Sequence, residues 1–222
     1  EKIEVSDEEL GGADMHASIS GTIDFNEKDD ASCLATLRSL VDEHTTMTAD
    51  TTGVYTGDIQ GAPERNESDV YDIFTDKPGG QYDAMDIIRC IADADTINEY
   101  KADYGKAIVC AYAKVNGQPV GIVANQRKIT QRTMPGGKEG PSYAVNMPAV
   151  IYDDSAAKAA RFIMDCNQRR IPIVFMHDTT GFMVGRDSEQ GGIIRAGAKM
   201  VNAMSNTVTP KIVLILGNSY GA

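Results

Sequence analysis

The apolar positions of this chain fall into two rhythms. Leu34, Leu37, Leu40 and Val41 recur at helical spacing behind Asp29-Asp30, an acidic pair that suits the first turn of a helix. Met85, Ile88 and Ala92 predict a second helix over residues 82–92. Unbroken apolar runs at 108–115 and 120–123 predict two strands. Asn116-Gly117 between them is the strongest short hairpin signal in the chain. After Pro148 the pattern becomes regular. Asp153-Asp154-Ser155 open a helix that runs to Arg169, with Ala156, Ala159, Ala160, Ile163 and Cys166 inward. Residues 172–176 read as a buried strand, 177–187 as a glycine-bearing loop, and 190–206 as a helix with Ile193, Gly197, Met200, Val201 and Met204 on one face. Residues 212–216 read as the next buried strand, followed by a small-residue turn over 217–222. Strands alternating with helices over short connections predict an α/β domain with parallel pairing. The remainder is polar. Residues 1–25 are rich in turns. Residues 45–80 read as a linker or surface excursion, with a short strand or turn near 70–74. Residues 127–147 form a basic stretch carrying Arg127, Lys128, Arg132 and Lys138.

Composition narrows the function classes. With 222 residues, 42% of them hydrophobic, the chain can fill one large core or two small ones. Lys plus Arg number 21 against 32 Asp plus Glu, a net charge of −11 that argues against nucleic-acid binding, which needs phosphate neutralisation. Cys33, Cys90, Cys110 and Cys166 form no C-x-x-C pair and read as buried thiols of a reducing compartment: the cytoplasm, or the mitochondrial matrix in a eukaryote. No apolar run reaches the roughly 18 residues of a membrane span. The sequence opens at Glu1 without Met and stops inside a turn, as expected for a piece of a longer polypeptide.

Candidate chemistry lies in the last third. His177-Asp178-Thr179-Thr180-Gly181 follows a predicted strand, where α/β proteins place ligands. The alternative is that Asp178 and the threonines only cap a turn. Gly181-Phe182-Met183-Val184-Gly185 suggests a tight turn whose backbone matters. Gly191-Gly192 opens a helix, which points either to close approach of a ligand or to helix packing. Gly221-Ala222 either donates backbone N–H groups to an oxyanion or simply turns the strand into a helix. His16 and His44 stand apart from any cysteine or carboxylate cluster and read as structural or surface residues. There is no metal-ligand spacing, Walker motif, dinucleotide fingerprint or G-x-S-x-G elbow. An enzyme built on this pattern would rely on backbone amides and a bound cofactor.

These residues also resemble a family. Leu10-Gly11-Gly12-Ala13-Asp14-Met15-His16 with Ser20-Gly21, then Tyr82-Asp83, Glu99-Tyr100-Lys101, Tyr104-Gly105 and Gly121-Ile122-Val123-Ala124-Asn125, resemble the acyl-CoA carboxyltransferase subunits of biotin-dependent carboxylases and decarboxylases. So do Gly181-Phe182-Met183-Val184-Gly185, Gly191-Gly192, Gly197-Ala198-Lys199-Met200-Val201, Pro210-Lys211 and the final Gly217 to Ala222. The resemblance implies a crotonase-like (ClpP/crotonase) α/β fold made of two related halves. Residues 1–45 would be the tail of the first half, 46–80 a linker, and 81–222 the opening of the second. It implies transfer of a carboxyl group between carboxybiotin and the enolate of an acyl-CoA, with two backbone oxyanion holes. Gly221 and Ala222 match the catalytic amides of the biotin-side hole. Thr180, Gly181, Phe182, Val184, Gly185, Gly191 and Gly192 match the carboxybiotin side, while the acyl-CoA hole falls outside this chain. Implied partners are a biotin carboxyl carrier protein, a biotin carboxylase subunit and further copies of the full-length chain. Gly-Phe-Met-Val-Gly and Ser-Tyr-Gly-Ala are similar to the methylcrotonyl-CoA carboxylase type. Asp178 to Gly181 and Lys114 to Gly117 are also similar to the glutaconyl-CoA decarboxylase α subunit. The alternatives are a decarboxylase subunit working in reverse, a crotonase-like hydratase or isomerase, and a non-catalytic α/β scaffold.

Overall fold

Hydrogen-bond demand on the backbone shapes this chain into a mixed sheet with helices on both faces. The computed structural model describes residues 5–45, 61–75, 77, 79–137 and 140–220. In chain order the elements are α1 (Asp7–Gly11), α2 (Ala13–Met15), α3 (Asp30–Thr45), α4 (Val70–Ile73), α5 (Ala84–Ile88), β1 (Asn98–Tyr100), β2 (Ile108–Val115), β3 (Gln118–Asn125), β4 (Thr130–Gly137), β5 (Gly140–Asn146), β6 (Val150–Ile151), α6 (Asp153–Arg169), β7 (Ile173–Thr179), β8 (Gly181–Phe182), α7 (Arg186–Gly191), α8 (Ile193–Asn206) and β9 (Lys211–Ser219).

The main sheet has the order β1-β2-β3-β7-β9. β1, β2 and β3 pair antiparallel. β3, β7 and β9 pair parallel. The hairpin predicted at Asn116-Gly117 joins β2 to β3, with both residues at positive φ (52° and 75°) as a two-residue turn of this kind requires. Asp93 holds that turn by accepting the amides of Asn116 (3.0 Å) and Gly117 (2.7 Å). α6 connects β3 to β7, and α7 with α8 connects β7 to β9. Both are the crossovers that parallel strands need.

Alternate residues divide the core between the two faces of the sheet. Ile108, Cys110, Tyr112, Val123, Ile173 and Phe175 meet α6 and α8. Val109, Ala113, Val120, Ile122, Ala124 and Met176 meet Tyr82, Ile87 and Ile88. Phe162 sits at the centre of the first cluster, its ring 4.7 Å from Tyr112 and 5.4 Å from Tyr100. Gly121 is required there, since a Cβ would lie 2.5 Å from Cys166 Sγ. The five α6 residues expected to face inward are all buried.

Several expectations change. The helix over 82–92 shrinks to α5. Asp93 donates its amide to Lys114 O (2.8 Å) instead of continuing the helix, and the Arg89 carbonyl accepts from Arg65 (3.0 Å). Of the strand or turn expected near 70–74, the turn forms, as the short helix α4 (Val70–Ile73). In the basic stretch 127–147, Thr130–Gly137 and Gly140–Asn146 pair antiparallel as β4–β5 and, among the described residues, with no other strand; Lys138 lies outside the described residues. The hairpin has little apolar alternation, so only its backbone pairing reveals it. Arg132 ties it to the start of α6 through Asp153 (2.6 and 3.0 Å) and Asp154 (3.1 Å). The helix over 190–206 breaks at Gly192 (φ 89°) into α7 and α8, and its buried stripe is Ile193, Ala196, Gly197 and Ala203, with Val201 exposed. On α3 only Leu40 packs against the core, while Leu34, Leu37 and Val41 are exposed. Cys33 is exposed, and the other three thiols are buried. β9 was expected to be buried. Instead its apolar residues Ile212, Val213, Leu214 and Ile215 are exposed, because among the described residues it pairs with β7 alone.

Candidate active site

The site forms where β3 and β7 end. β7 continues three residues beyond the predicted strand, so His177 and Thr179 share one face of the sheet and Asp178 points to the other. The adjacent histidine and aspartate therefore do not form a pair.

On the α8 side lies a cavity of about 300 Å³. Its apolar walls include Phe175, Phe182, Met200 and Met204, and Asn125, His177, Thr179 and Ser205 supply polar groups. That size and lining are those of a small-ligand site. His177 Nδ1 lies 3.1 Å from Ser219 Oγ, linking the cavity wall to the end of β9. Burial pulls the His177 pKa below its ordinary 6.5, so the ring is neutral near pH 7.

The loop beside the cavity is held by one carbonyl. Ala149 O accepts from Thr179 Oγ1 (3.1 Å), Thr180 N (2.8 Å) and Thr180 Oγ1 (3.2 Å). The Thr179 hydroxyl in turn accepts from Gly181 N (3.0 Å). β8 pairs parallel with β6, placing Phe182 opposite Ile151. Gly181 has a φ of 112°, which excludes ordinary side chains, and a Cβ there would come 3.2 Å from Tyr220 O. Gly197 on α8 lets the Phe182 ring approach, since a Cβ would lie 3.3 Å from it.

On the opposite face Asp178 is buried at 3% exposure. Oδ2 accepts from Tyr82 Oη (2.8 Å), and Oδ1 accepts from Asn218 N (3.0 Å). Arg127 Nη1 lies 3.4 Å from Oδ1. The Asp178 amide donates to Asn125 Oδ1 (3.3 Å). Burial, then the hydrogen bond to Asp178, pushes the Tyr82 hydroxyl far above the usual phenol range.

The sequence-predicted residues divide into groups. Thr180, Gly181 and Phe182 come together beside the cavity, and Phe182 forms part of its wall. Val184 is 77% exposed and outside the lining. Gly185 caps α7 with a φ of 118°, while Gly191 and Gly192 sit at the α7–α8 break near Asp153 and Arg195. Gly221 and Ala222 lie outside the described residues. Sequence reasoning missed Tyr82, Arg127 and Asn125. Tyr82 lies 96 positions from Asp178, a distance no local pattern spans. Among the described residues no group of three or more His, Cys, Asp or Glu could hold a metal ion. No helix among them is long and apolar enough to cross a membrane.

Residues 3–222 match the carboxyl transferase domain. The chain belongs to that family. It is 37% identical over 98% of its length to the biotin-dependent 3-methylcrotonyl-coenzyme A carboxylase beta1 subunit of Mycobacterium tuberculosis, of which it covers 36%. It is 33% identical over 98% of its length to the methylmalonyl-CoA decarboxylase subunit alpha of Propionigenium modestum, covering 38% of it. The structure of transcarboxylase 12S, a hexamer with hydrolysed methylmalonyl-coenzyme A bound, superposes over 96% of the chain. The TM-score is 0.76 and the identity 33%, and the chain covers 38% of that protein. The carboxyltransferase fold is therefore crotonase-like here, as the motifs implied. The chain spans about 36–38% of the length of these relatives.

Proposed function

We propose that this chain supplies the biotin-side part of a carboxyltransferase that moves a carboxyl group between carboxybiotin and an acyl-CoA. The observation that supports the reading is the cavity at the ends of β3 and β7. Its apolar walls and few polar groups suit an apolar bicycle carrying a polar ureido head, and it adjoins the turn that ends β9. Carboxybiotin would supply the carboxyl group when bound. Phe182, Met200 and Met204 would hold the ring, and Asn125, His177 and Thr179 would face its polar edge. Gly221 and Ala222, directly after Tyr220 in sequence, would donate amides to the developing oxyanion. A preorganised donor of that kind lowers the barrier by roughly 3–4 kcal/mol. No side-chain base is required of this segment.

The acyl-CoA, a separate carrier protein bearing biotin, a biotin carboxylase and further copies of the chain complete the proposed system. Homology to both a carboxylase and a decarboxylase subunit fits one site working in either direction. A reducing compartment, the cytoplasm or the mitochondrial matrix, suits a chain whose four cysteines are all free thiols.

The test is carboxyl transfer by the protein as its gene encodes it, using carboxylated carrier or carboxybiocytin and a panel of acyl-CoAs. The expected result is formation of a carboxylated CoA thioester. Absence of transfer to every thioester, by protein that is folded and oligomeric, would contradict the reading.

A further inference from the structure

We propose that Asp178 is a positioning residue, whose carboxylate sets the backbone of the turn leading into Gly221. The proposal rests on the carboxyltransferase reading for its catalytic consequence, but its structural part stands alone.

β7 and β9 pair regularly from Ile173↔Lys211 to His177↔Ile215, and then jump to Thr179↔Ser219. Two steps along β7 thus face four along β9, so β9 bulges over residues 216–218. A bulge leaves backbone amides without ladder partners. Asp178 is the β7 residue at that jump. Its Oδ1 accepts the Asn218 amide at 3.0 Å. Beside it, a Cβ on Gly217 would lie 2.6 Å from the same oxygen, so glycine is needed for the carboxylate to reach the bulge. Beyond the bulge Tyr220 N donates to Thr179 O at 3.3 Å, returning the chain to β7. Tyr82 holds the other carboxylate oxygen, and Arg127 lies 3.4 Å from Oδ1 itself. A side chain with this many fixed partners, aimed at one irregular turn, determines where that turn goes. Misplacing reacting groups by about 1 Å can cost about a hundredfold in rate.

What the bulge needs is an acceptor at Oδ1, not a charge. Asp178→Asn keeps that acceptor, and Asp178→Ala removes it. In the full-length protein, Asp178→Ala is expected to lower kcat about tenfold or more while leaving the acyl-CoA KM within about twofold. Asp178→Asn should retain activity within about threefold of wild type. Hydrogen exchange at the amides of residues 217–220 should accelerate in the alanine variant only. Gly217→Ala, which crowds the carboxylate without removing it, should behave like Asp178→Ala and serves if the latter does not fold. Wild-type kcat per folded molecule in Asp178→Ala, equal losses in Asn and Ala, or unchanged exchange would each overturn the proposal. If wild-type protein transfers no carboxyl group, the functional reading fails, and the exchange measurement alone decides the role of Asp178.

Discussion

β7 and β9 are neighbours in one sheet, parallel, and nearly equal in apolar content, yet they have opposite fates. β7 has a strand on each side, with α6 and α8 over one face and the Tyr82–Ile88 segment over the other. Ile173, Phe175 and Met176 are buried. β9 has β7 on one side and, among the described residues, no strand on the other, and Ile212 opposite Val174 is 61% exposed. An apolar β-branched run therefore states what environment a strand is suited to. Whether that environment exists depends on elements elsewhere.

Substitutions in the two strands should differ in cost accordingly. Ile173→Ala should cost about 2–5 kcal/mol, measured by urea unfolding, because it empties packed space beneath α6. A loss below 1 kcal/mol would mean that β7 is not the centre of the core. A smaller effect belongs to His177, at the end of the buried strand. Its pKa is pulled below 6.5 by burial, so the folded chain binds this proton less readily than the unfolded chain. Its contribution is complete above pH 6.5 and is lost as pH falls through the lower native value. Stability measured from pH 7 to 5 should fall less steeply in His177→Gln than in wild type, and an identical slope would refute this. The smallest effect is expected at Ile212→Ala, within about 0.5 kcal/mol, since the side chain is already exposed. A loss as large as that at Ile173 would show that β9 is covered in solution.

Much of this was legible beforehand. The β2–β3 hairpin, α6 and its inward face, and the parallel alternation follow from local turn chemistry and periodicity. The family motifs around Gly181 and Gly197 marked the loop and helix that line the cavity. What stayed hidden is what depends on distant partners. The β4–β5 hairpin has backbone pairing without an apolar pattern. α5 gives way to tighter turns, with Cys90 N donating to Ile87 O and Ile91 N to Ile88 O, and beyond it the Arg89 carbonyl and the Asp93 amide go to Arg65 and Lys114. Asp178 could be read as a cap, and only the fold brings Tyr82, Arg127 and Asn218 to it.

Calorimetric titration of biocytin into the wild-type protein and a Val201→Trp variant decides whether this cavity takes biotin. Val201 lines the cavity while being exposed, so an indole there would block the cavity without disturbing the core. Saturable binding to wild type is expected, weakening at least about tenfold, roughly 1.4 kcal/mol, in the variant with Tm unchanged. No saturable binding to wild type, or equal binding to both, would contradict the proposed function.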